Sequence, residues 1–145
     1  MTVAVFFKTR APASVKSLAP ALKKTARAAL ESGKSKGEVN IILVGEAGIK
    51  RLNRRFLSRT GVTDVLAFNH PRPAFTPRGG APPFGDIYIC LPRARLQASR
   101  LGHCLGTELL ILAAHGALHL SGMDDATASQ RRAMNRKTLR LLRRL

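Results

Sequence analysis

Apolar residues follow two periods along this chain. Residues 3–7 (VAVFF) are β-branched and aromatic with a weak alternation, which predicts a strand. From 13 to 32 the period lengthens: Val15, Leu18, Leu22, Ala26 and Leu30 recur at helical spacing with lysines and arginines between, and Gly33 supplies a stop. A second strand is predicted over 38–44 (EVNIILV), then a short, very basic helix over 47–56 with Ile49, Leu52 and Phe56 on one side. Residues 64–68 (DVLAF) and 86–90 (DIYIC) read as the third and fourth strands. Helices follow over 92–101, over the strongly apolar 105–120 and over the basic, amphipathic 127–145.

The connection over 69–84 holds five of the chain's eight prolines and predicts a loop, long enough to be a functional flap. The fold class implied is α+β, in a single domain over 1–145: a small mixed sheet of about four strands packed with about five helices. An apolar fraction of 45% over 145 residues suits one folded core.

Charge changes the picture. Twenty-five Lys and Arg face eight Asp and Glu, a formal net charge of +17, which implies a polyanionic partner. Lys50, Arg51, Arg54 and Arg55 share one predicted helix, and seven cations from Arg131 to Arg144 follow with no acid among them. Runs this one-sided repel themselves unless an anion is expected. Six Phe, one Tyr and no Trp leave little for base stacking, so sequence preference on any nucleic acid should be slight. Two cysteines, Cys90 and Cys104, are too few for a disulfide scaffold and read as buried thiols in a reducing cytoplasm. The opening MTVAVFFK reads as a strand rather than an export signal, and no apolar run approaches a membrane span.

The chemistry concentrates in HGALHLSGMDD, residues 115–125. Residues i and i+4 of a helix share one face, so His115 and His119 can point at a common atom. Gly122 can take the left-handed conformation that reverses the chain and returns Asp124 or Asp125 over the pair. Three protein ligands with a fourth position open is the pattern of a catalytic zinc site. Peptidases of the HExxH type place a glutamate beside the first histidine; here Gly116 stands there, and Glu108 lies two turns away, so peptide hydrolysis is disfavoured.

These residues resemble the signature of the YbeY family of bacterial metal-dependent endoribonucleases, HGxLHLxGxDH. TDVLAF at 63–68, GDIYIC at 85–90 and the Gly102, His103, Glu108 pattern are similar to that family in the same order. The resemblance implies a compact α+β fold of zinc-peptidase outline, one divalent metal (zinc), and cleavage of single-stranded RNA in rRNA processing with the small ribosomal subunit. Its ligand set falls on His115, His119 and Asp125, where the family's third ligand is usually histidine. A carboxylate there lowers the net charge of the site and favours harder metals such as Mn²⁺ or Mg²⁺.

The arginine expected before TDVLAF falls on Leu57. Arg59 or Arg55 is therefore the expected phosphate clamp. Asp124 is expected to orient His119 or to cap the next helix, and no general base stands out. Two readings follow: a metal-dependent endoribonuclease, or an RNA-binding ribosome-assembly factor with little or no nuclease activity, towards which Leu57 and Asp125 lean.

Overall fold

Four strands form one sheet in the order β1-β2-β4-β3. The structure, a computed structural model, describes residues 2–31, 37–58, 60–70 and 83–144. β1 (Thr2–Phe7) and β2 (Glu38–Val44) are parallel, as are β2 and β4 (Pro83–Cys90), whereas β3 (Val65–Asn69) runs antiparallel to β4. The sheet is thus mixed, as the sequence predicts. Side chains of successive strand residues point to opposite faces. Val39, Ile41 and Leu43 of β2, with Ile87 and Ile89 of β4, join the main core, while Ile42, Val44 and Cys90 join a smaller cluster on the other face.

Helices α2 (Ala19–Glu31) and α5 (Leu105–Leu120) cover the main face, with α4 (Leu91–Leu101) and α6 (Ala128–Arg143) packed around α5. The other face takes α3 (Glu46–Leu57), through Ile49 and Leu52. Burying each large aliphatic side chain contributes about 1.5–3 kcal/mol, and α5 contributes most evenly because it is apolar nearly all round. No helix among the described residues is long and apolar enough to cross a membrane.

Three expectations are corrected. The helix predicted over 13–32 is two, a single turn α1 (Ala13–Lys16) and then α2. Pro20 lacks the N–H that an unbroken helix would bond to the carbonyl of Lys16, and Ser17 Oγ donates to the carbonyl of Ser14 at 2.9 Å and closes the turn. Ser32 and Gly33 lie outside the described residues.

Phe56 does not join the buried side of α3; it is 56% exposed, and Asn53 is buried instead, its Nδ2 donating to the carbonyl of Gly61 at 3.1 Å. The connection expected over 69–84 is shortened at both ends by strand pairing, Asn69 opposite Gly85. The flap itself falls on residues 71–82, outside the described residues.

Candidate metal centre

α5 is held hard against the sheet. A Cβ built on Gly116 would lie 2.6 Å from Ile87 Cγ2, and one on Gly85 would lie 2.7 Å from Leu120 Cδ2, so glycine at both positions lets helix and strand approach. The position that a peptidase gives to its glutamate is thus filled by the wall of β4.

At its C-terminus α5 closes in a Schellman motif: Gly122 N donates to His119 O and Met123 N to Leu118 O, both at 3.0 Å, with Gly122 at φ +100. Met123 packs against the main core and fixes the exit direction of the chain. That turn returns Asp125 over the helix. Asp125 Oδ2 lies 3.3 Å from His115 Nε2 and 3.4 Å from His119 Nε2, and the two imidazole nitrogens are 3.0 Å apart.

The donor set fits a divalent metal. A tetrahedral ion with bonds of about 2.0–2.2 Å spaces its ligands by roughly 3.4 Å, close to the separations found here. The protonation states also fit. His119 Nδ1 donates to Met123 O at 3.1 Å, which leaves the Nε2 lone pair facing the shared point. Burial pushes His115 below the ordinary histidine pKa, helped by His119 and opposed by Asp125 and Asp64, so His115 favours the neutral form a metal requires. Among the described residues this is the one group of three or more His, Cys, Asp or Glu whose ligand atoms converge.

The other expected residues sort differently. Asp124 does not cap α6; Thr127 does, in a reciprocal capping box with Gln130, while Asp124 Oδ1 accepts from the N–H of Asp125 at 2.9 Å. His103 and the buried Glu108 hydrogen-bond to each other, away from the centre, just after Gly102 ends α4 in the left-handed conformation. Arg59 lies outside the described residues. Arg55 does not line the cleft of about 430 Å³ around the histidines; its guanidinium stands 5.4 Å from the centroid of the Phe56 ring and lines a neighbouring pocket. Leu57 lines the cleft.

Sequence reasoning missed three participants. The Met123 carbonyl orients His119 through a backbone atom, which leaves no trace in residue type. Arg131 Nη1 donates to the carbonyls of Asp125 and Ala126 at 3.3 Å and steadies the ligand-bearing turn. Asp64 lines the cleft; its Oδ1 accepts from Val65 N at 2.8 Å and its Oδ2 from Gln97 Nε2 at 3.2 Å. The aspartate of TDVLAF was the only available signal for it.

Comparison with known proteins gives the chain's relatives. A family profile described as Endoribonuclease YbeY matches residues 7–145. The chain is 40% identical over 143 residues to Endoribonuclease YbeY of Elusimicrobium minutum, covering 98% of each. With the proteins of that name from Moorella thermoacetica and Thermus thermophilus it shares 43% over 109 residues and 40% over 110, covering 72% and 74% of this chain and 70% and 76% of theirs. In three dimensions it is similar to the solution structure of TM1509 from Thermotoga maritima, with a TM-score of 0.63 at 26% identity over 97% of this chain and 86% of that one. On sequence, and with the fold in accord, the chain belongs to the YbeY family.

Proposed function

We propose that this protein is a metal-dependent endoribonuclease that cuts single-stranded RNA during rRNA processing and maturation of the small ribosomal subunit. The observation that carries the reading is the convergence of His115, His119 and Asp125, within bonding range of one ion, on a chain of net charge +17. A zinc ion held by these three residues supplies an acidified water and a Lewis acid for the scissile phosphate. Asp125 in place of a third imidazole makes Mn²⁺ a stronger competitor for the same position.

The chain's own residues prepare that site. Met123 O fixes the His119 tautomer, and burial favours the neutral form of His115. Asp64 and Asp125 are the acids of the cleft, and no Lys or Arg lines it among the described residues. A dication held by His115, His119 and Asp125 would offset that negative charge for an RNA phosphate, and cations outside the cleft would grip the strand. Arg55 belongs to that grip rather than to the reacting centre. On this reading the protein acts in the cytoplasm, which suits Cys90 and Cys104 as free thiols.

Leu57 favours a second reading, an assembly factor that binds RNA and cuts it little or not at all. The test is cleavage of a labelled single-stranded RNA by zinc-loaded protein beside His115→Ala, with zinc measured by elemental analysis. The nuclease reading expects about one zinc per chain, cleavage lost on chelation, and neither zinc nor cleavage in the variant. Zinc-loaded protein that binds the RNA without cutting it supports the assembly factor. Equal residual cleavage in both proteins removes the nuclease.

A further inference from the structure

A second pocket, of about 620 Å³, opens beside α3, and every charged residue lining it is a cation: Lys8, Arg51, Arg54 and Arg55. Its apolar wall is formed by Val44, Leu52 and Phe56. The volume lies within the range of small-ligand sites, roughly 300–1,000 Å³. The ion pairs among the described residues all join a histidine to a carboxylate, so these four cations face the pocket without an acidic partner.

Phe56 sharpens the chemistry. The residue is 56% exposed where it lines the pocket, with Phe68 at 5.2 Å between ring centroids and the Arg55 guanidinium over its ring, so that a base stacks with this pair. Leaving so large a ring in water is unfavourable by itself. A flat apolar face among unpaired cations is what a nucleotide requires, a surface for the base and charge for its phosphate.

Position ties the pocket to the metal cleft. Phe56 lines the one and Leu57 the other, adjacent residues whose Cα atoms are about 3.8 Å apart. The two linings therefore meet at the end of α3. We propose that this pocket binds one nucleotide of the RNA strand whose neighbouring phosphate occupies the metal cleft. The base lies on Phe56 and Leu52, and the phosphate on Arg51, Arg54 and Lys8. The proposal rests on the RNA reading above and assigns that substrate a second contact, which supplies the cations the cleft lacks.

The experiment uses zinc-loaded protein and a fluorescein-labelled single-stranded oligouridylate followed by anisotropy, with wild type, Phe56→Ala, Phe56→Trp and Arg51→Ala/Arg54→Ala matched for thermal unfolding. Phe56→Ala should weaken binding about tenfold and Phe56→Trp should restore it. Arg51→Ala/Arg54→Ala should flatten the dependence of log K on log salt by about 0.7, one phosphate contact on a single strand. An oligonucleotide carrying 5-iodouridine should crosslink to Phe56, located by mass spectrometry. Wild-type affinity and salt slope in the variants, with crosslinks elsewhere, overturn the pocket while leaving the nuclease standing. A wild-type protein that neither binds nor cuts the oligonucleotide removes both.

Discussion

At position 57 the metal cleft presents a leucine, 40% exposed, to a substrate that is a string of phosphates. Two acids and no described cation line the same cleft, so Leu57→Arg would place the first guanidinium there. Charge-assisted hydrogen bonds contribute about 1.5–3 kcal/mol, which predicts a gain of at least roughly tenfold in the rate of RNA cleavage at subsaturating substrate. An unchanged rate would show that the scissile strand does not pass this side chain. The two thiols offer a second check at this scale. Cys104 is exposed, and hydrogen bonding by the Thr107 hydroxyl and nearby N–H groups holds its pKa below the ordinary thiol value, whereas burial raises that of Cys90. Iodoacetamide should therefore modify Cys104 in the folded protein, more slowly as pH falls and thiolate is lost. Cys90 should react only on unfolding. The expectation that both thiols are buried holds for Cys90, at the end of β4, and fails for Cys104, which stands outside the core as the N-cap of α5.

Elements tell more of their story in advance. The ligand-bearing end of α5 was readable because each part has a residue-type signature: histidines four apart for the shared face, glycine for the left-handed turn, a carboxylate after it. The break between α1 and α2 was harder, since the apolar spacing of Val15, Leu18 and Leu22 continues across it and Pro20 is also acceptable as a helix start. Phe56 carried the right spacing for burial and stayed outside because α3 ends there, against Phe68. The reason for Gly116 was visible only in three dimensions, since the constraint comes from Ile87 on another element. Gly116→Ala should overpack that contact and lower stability by about 1–3 kcal/mol, with zinc affinity falling as α5 lifts from β4. Gly122→Ala meets no neighbour within 4 Å and should cost about 1–2 kcal/mol through its backbone conformation alone. Thermal unfolding and zinc titration of both variants in an Ile87→Ala background, which removes Cγ1 and Cγ2 from the contact, separate the two causes. Only the first should be relieved.

For the whole molecule, charge is the quantity that matters. The net +17 lies on a surface whose described lysines and arginines make no ion pairs with carboxylates, a state that repels itself until a polyanion or salt screens it. Binding of single-stranded RNA should follow log salt with a slope of about −3 or steeper, four or more phosphates engaged, so affinity should fall roughly 60-fold between 50 and 200 mM salt. A change under about fivefold would locate the affinity in base contacts instead. Composition announced this property plainly. What composition left blank was distribution, since among the described residues the cations stand beside the histidine cleft and not in it.

All three converging ligand atoms belong to residues 115–125, one uninterrupted stretch of eleven. The candidate coordination sphere is therefore a cassette, one stretch of chain in which a single codon changes a ligand. The surfaces that grip RNA are encoded elsewhere, at Lys8 and in α3. Metal preference and substrate grip can then drift apart over evolutionary time, each tuned without rebuilding the other.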